Sequence, residues 1–90
     1  MNLKIKLQVT EEDIRINGHR RDYCPVNRAL KRTLPKGAIE VSVDTDRCRF
    51  RLGGYPYYID DNRVRRWVQT YDNRKEVRPF TREVVAVAAS

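Results

Sequence analysis

The sequence has little of what most catalytic chemistry requires. It holds one histidine and two cysteines among ninety residues, and Cys24 and Cys48 have no metal-motif spacing. Neither a zinc site nor a disulfide scaffold is expected, and no cofactor is implied. Its four glycines form no phosphate-cradling loop, and no nucleophile, base and acid are spaced as a triad. Cys24 at a helix start is a candidate for a lowered thiol pKa. Its only possible partner, His19, sits in a polar loop and is not a positioned base. The chain is therefore read as a non-enzyme. No apolar run approaches the roughly 20 residues of a membrane span. Lys4 and Lys6 interrupt the apolar residues of the first segment, unlike the unbroken core of a signal peptide. A cytoplasmic protein without membrane contact is the expectation.

Charge is what the chain has in excess. Nineteen basic residues face twelve acidic ones, a net charge of +7, which points to an anionic partner. Arginine outnumbers lysine fourteen to five, and the planar guanidinium suits phosphate oxygens and the faces of bases. Ninety residues are read as a single α+β domain, 1–90, able to bury about three-fifths of its unfolded surface.

Leu3, Ile5, Leu7 and Val9 alternate with Lys4, Lys6 and Gln8, the period of a strand over 3–9 with one wet face. Thr10 and the acids after it predict one helical turn, ended by Gly18. A polar loop with His19, Arg20 and Arg21 leads to a helix capped by Cys24 and opened by Pro25, with Val26, Ala29, Leu30 and Thr33 on its inner side. Pro35 and Gly37 stop it. Two alternating segments, Ile39-Val41-Val43 and Cys48-Phe50-Leu52, are joined by Asp44-Thr45-Asp46 as a hairpin. Gly53-Gly54-Tyr55-Pro56 is read as a break. Asp60 or Asp61 then caps a helix that buries Val64, Trp67, Val68 and Tyr71, and 80–88 has the β-branched character of a last strand. The order β-α-β-β-α-β predicts a ferredoxin-like fold, a four-stranded antiparallel sheet with two helices on one face. A less regular α+β arrangement is the alternative.

Alternation places Arg47, Arg49 and Arg51 on one side of the third strand, about 7 Å apart. In ferredoxin-like order the first and third strands are neighbours, so Lys4 and Lys6 join that row and five cations share one open sheet face. Such a face suits a nucleic-acid backbone. It equally suits a solvated surface whose arginines pair with Glu40 and Asp44. A second basic set is Arg20, Arg21, Arg28, Lys31, Arg32 and Lys36. Tyr55, Tyr57 and Tyr58, read as a loop after the two glycines, are candidates for protein contact. Phe50 has buried parity, which argues against an RNA-recognition motif.

Asp13-Ile14, Gly18, Cys24-Pro25-Val26 with Ala29-Leu30, Tyr71-Asp72, Val77 and Pro79-Phe80 resemble small phage-encoded proteins of uncharacterised function. The resemblance implies a phage accessory protein in the cytoplasm of a bacterial host, without an established activity or site. Three functions fit the chain. One is nucleic-acid binding through Lys4, Lys6, Arg47, Arg49 and Arg51, with Arg20, Arg21, Arg28 and Arg32 as further contacts. The others are inhibition of an acidic host protein through the tyrosines and helix arginines, and sequestration of a nucleotide.

Overall fold

A computed structural model of the chain describes residues 2–17, 24–44 and 46–89. The polar loop with His19, Arg20 and Arg21 lies outside the described residues. The elements are β1 (Asn2–Val9), α1 (Glu11–Asn17), α2 (Pro25–Thr33), β2 (Ile39–Val43), β3 (Cys48–Leu52), β4 (Tyr55–Ile59), α3 (Asn62–Asp72) and β5 (Phe80–Ala88).

The ferredoxin-like expectation is overturned within the α+β class. The sheet has five antiparallel strands in the order β1-β5-β4-β3-β2, and there are three helices among the described residues. The extra strand arises at Gly53-Gly54, read from sequence as a break. Both glycines have positive φ, 60° and 81°, and together they make a two-residue hairpin turn whose twist matches that of the flanking strands. Leu52 consequently pairs with Tyr55, Arg51 with Pro56 and Phe50 with Tyr57. Pro56 is tolerated because it sits at the second position of β4, level with the end of β5, where its carbonyl accepts from the Ala89 amide.

The last strand then fills the place that the expectation assigned to β3. β5 pairs with β1 along eight residues, Asn2↔Val87 through Val9↔Phe80, and with β4 on its other side. β1 is left at one edge of the sheet and β2 at the other. β2 carries an irregularity between Ile39 and Ser42, where Glu40 has a φ of 55° and the strand bulges away from strict pairing.

One sheet face and the helices share a single core. Ile5, Leu7, Val9, Cys48, Phe50, Tyr57, Ile59, Val84 and Ala86 meet Val26, Ala29 and Leu30 of α2 and Val64 and Val68 of α3. The inner stripe of α3 is thus narrower than the sequence suggested. Trp67 is half-buried: its indole donates to the Arg78 carbonyl at 2.8 Å and its ring meets Tyr71 and Phe80 at 5.8 and 5.3 Å. It fastens the segment entering β5 to the helix instead of filling the sheet core. Asp61, whose side chain accepts from the Arg63 and Val64 amides, is the cap of α3.

The hairpin turn can be tested by substitution. No atom lies within 4 Å of a Cβ built on Gly53, so backbone conformation alone is at stake. Gly53→Val is expected to destabilise by about 1–2 kcal/mol, the cost of placing a side chain in left-handed backbone. Gly53→Asn, which creates the favoured Asn-Gly turn, is expected to stay within about 0.5 kcal/mol of the parent. Urea unfolding of the three proteins distinguishes the cases. Equal loss for both variants would contradict the turn.

Candidate nucleic-acid interface

The face opposite the core carries no described helix, and alternation decides what it displays. Arg49 pairs with Tyr58 across β3 and β4, Tyr58 with Val87 across β4 and β5, and Val87 with Asn2 at the β1 edge. Ser42 extends this row on β2. A neighbouring row holds Pro56, Arg51 and Ile39, while Lys4 stands opposite Val85 and Lys6 opposite Glu83.

Lys4, Lys6, Arg47, Arg49 and Arg51 are all exposed and the four strand positions among them share this face. They do not form one patch, however. β5 and β4 separate the lysines from the arginines by three strand spacings, about 14 Å across the sheet. Lys4 and Lys6 are further offset along β1, two and four residues from the row of Arg49, Tyr58, Val87 and Asn2. The side-by-side arrangement expected from ferredoxin-like order is thus corrected to two basic margins.

Between the margins lies a floor that sequence reasoning missed. It consists of Val85, which is 42% exposed, half-buried Val87 and Tyr58, and exposed Pro56. Ile39, 57% exposed, continues it onto β2. The parity of 80–88 carried a signal for the two valines, since Val84 and Ala86 must face inward if Val85 and Val87 face outward. The arginine margin borders an open concavity of about 710 Å³, lined also by Ser42, Pro56 and Tyr58.

Each arginine of the row has a partner. The Arg47 guanidinium lies 5.2 Å from the Tyr58 ring centroid, Arg49 meets Asp44 at 2.6 Å and Arg51 meets Glu40 at 3.8 Å. The side chains of both ion pairs are about half exposed, and such pairs contribute about 0–1 kcal/mol. They hold the guanidinium groups in place yet exchange readily for another anion. With Glu83, the acids reduce the local balance from five cations to a net +2.

No protein-family model, curated protein or solved structure matches this chain. Its candidate site rests on geometry alone.

Two members of the second basic set, Arg28 and Arg32, serve the fold. Arg32 donates to both carboxylate oxygens of Asp13, at 2.9 and 2.8 Å, and to the Gln8 carbonyl at 3.0 Å. Arg28 approaches the same carboxylate at 3.5 Å. Asp13 is 1% exposed and also exchanges hydrogen bonds with Thr10, accepting from its amide while the Asp13 amide donates to its hydroxyl. This reciprocal pairing caps α1. Lys31 and Lys36 are exposed, whereas Arg20 and Arg21 lie outside the described residues.

The tyrosine loop is corrected to a strand. Tyr57 is buried and stacked on Phe50 at 5.2 Å, so it offers nothing to a partner. Tyr58 faces the open side, and Tyr55, 65% exposed, flanks the turn.

Both cysteines are buried and free. Burial raises the Cys24 thiol pKa and pushes that of Cys48 up to about 12. The helix-start thiol therefore lacks thiolate character. Asp60 pairs with Arg65 and Asp61 with Arg82 at 2.9 Å. Among the described residues no group of three or more His, Cys, Asp or Glu side chains is placed to hold a metal ion, and no helix is long and apolar enough to cross a membrane.

The buried carboxylate generates a pH prediction. The Arg32 hydrogen bonds, opposed by burial and aided by Thr10, lower the Asp13 pKa from 3.8 to about 2. A folded-state pKa below the unfolded value stabilises the protein where the carboxylate is ionised, so the contribution is complete above about pH 5 and is lost as pH falls through 2. A depression of this size corresponds to about 2 kcal/mol. Asp13→Asn is expected to lower stability at pH 7 by at least that amount and to reduce the difference between pH 6 and pH 2.5. Denaturant unfolding at the two pH values measures both. An unchanged difference would remove Asp13 from the acid response.

Proposed function

We propose that this protein is a non-enzymatic accessory protein of the phage type that binds nucleic acid through its open sheet face. Arg47, Arg49 and Arg51 form one margin of the interface, and Lys4 and Lys6 form the other. The observation that carries this reading is the placement of five exposed cations on the uncovered side of the sheet. The arginines are held by exposed acids, a tyrosine ring and, for Arg51, the Gly54 carbonyl at 3.3 Å. Phosphate oxygens replace Asp44 and Glu40 as partners at little cost, and the counterions they release supply affinity that depends on salt. Backbone contacts of this kind position a nucleic acid without specifying its sequence.

Inhibition of a host protein loses one of its three tyrosines, since Tyr57 is in the core, while Tyr55 and Tyr58 stay accessible. Nucleotide sequestration keeps one supporting feature, the concavity beside the arginine row, whose volume falls within the usual range for small-ligand sites.

Binding of mixed-sequence DNA and RNA, measured across a salt series, tests the proposal. Arg49→Ala is expected to weaken binding to all sequences alike and to flatten the log–log salt dependence by nearly one unit. Stability is expected to change by less than about 1 kcal/mol. Arg66→Ala, on the exposed side of α3, is expected to leave binding unchanged. An effect of Arg66 without one of Arg49 moves the interface to the helices. A mononucleotide bound as tightly as an oligonucleotide favours the sequestering alternative. If micromolar protein retains neither nucleic acid at low salt, the proposal fails.

A further inference from the structure

Resting on the nucleic-acid reading above, we infer that the partner is a single strand, whose bases stack on Tyr58 and cover the valines of β5. The cations alone do not distinguish a duplex from a single strand, because both present phosphates. The floor between the margins does. Tyr58 stands in register between Val87 and Arg49, and Val85, two residues along β5 from Val87 and opposite Lys4, is 42% exposed. A duplex seated on both margins lays charged backbone and polar groove edges over these apolar groups, which desolvates phosphates without giving them partners. A single strand turns the flat faces of its bases toward the same floor.

The geometry of the margins agrees with this occupant. A backbone along the arginine row directs its bases onto β4 and β5. The lysines of β1 flank the far side, about 14 Å across the strands and displaced two and four residues along β1 from the row of Tyr58. Arg47 already lies over the Tyr58 ring at 5.2 Å. A guanidinium plane stacks on a base as it does on a phenol ring, so an incoming base shares or takes this position and leaves Arg47 available to phosphate. The surface thus reaches by another route the aromatic platform that the buried parity of Phe50 had argued against. Its ring comes from β4, the strand created by the glycine turn.

Fluorescence anisotropy at low salt tests the inference, using labelled mixed-sequence single strands of DNA and RNA of about 12 nucleotides and a DNA duplex of the same length, a span within the range of known single-strand platforms. The single strands are expected to bind at least about tenfold tighter than the duplex. Tyr58→Leu is expected to weaken single-strand binding about 10- to 100-fold while duplex binding stays within about twofold. Tyr58→Phe is expected to retain binding. Val85→Thr, which keeps the branched shape at an exposed position, is expected to weaken single-strand binding several-fold and serves if Tyr58→Leu does not fold. Equal or tighter duplex binding, or single-strand binding indifferent to both Tyr58→Leu and Val85→Thr, overturns the stacking inference. Loss of binding in Arg49→Ala under those outcomes leaves the broader nucleic-acid reading standing. Absence of binding to every probe removes both.

Discussion

Two consecutive residues at positive φ, Gly53 and Gly54, set the path of the chain beyond β3. Because glycine alone enters this backbone region without steric cost, the chain reverses in two residues and lays β4 against β3. The register set at that turn sends Tyr57 and Ile59 into the core and Tyr58 to the opposite side. β4 then offers its other edge to β5, and β5 separates it from β1. The width of the open face, the separation of its basic margins and the aromatic ring between them all descend from this reversal.

Arginine serves two unlike purposes in the molecule, and burial of the partner separates them. Arg32 holds a carboxylate that is almost wholly removed from water. Loss of that guanidinium leaves a buried charge to Arg28, at 3.5 Å, and the Thr10 amide, which is costlier than loss of a surface pair. Arg82 likewise bonds Asp61, the cap of α3. Burial raises the Asp61 pKa, but the Val64 amide and Arg82 outweigh it and leave the pKa lowered. The arginines of β3 instead meet acids that are themselves about half exposed or more. Water competes for those pairs, and so can another anion.

Most elements were legible because they rest on local periodicity. Alternation in Leu3 to Val9 and in Cys48 to Leu52, the Cys24-Pro25 opening of α2 and the capping carboxylate of α3 each needed only a few adjacent residues. The reading failed where one local pattern served two structures. Gly-Gly before Tyr-Pro is a break if the chain leaves the sheet and a turn if it returns, and the proline concealed the return. Strand order was less legible still, since the pairing of β1 with β5 joins residues about 80 positions apart. Within the site, the cations could be read from the sequence but their spacing could not, because it depends on which strands intervene. Arg28 and Arg32 resembled a wet helix face until Asp13, on a different helix, supplied the partner.

Each outermost strand has an edge that no described strand pairs, and each is defended differently. β2 is short and interrupted at Glu40, which denies a second chain a regular ladder. β1 is eight residues long and pairs without interruption, so its outer edge would be an inviting template for strand addition. Lys4 and Lys6 discourage that approach, since two such edges brought together would oppose like charges. The same lysines therefore guard colloidal behaviour as well as forming a basic margin. Neutralising them to study ligand contact also removes the guard, so any change in affinity must be separated from self-association of the protein.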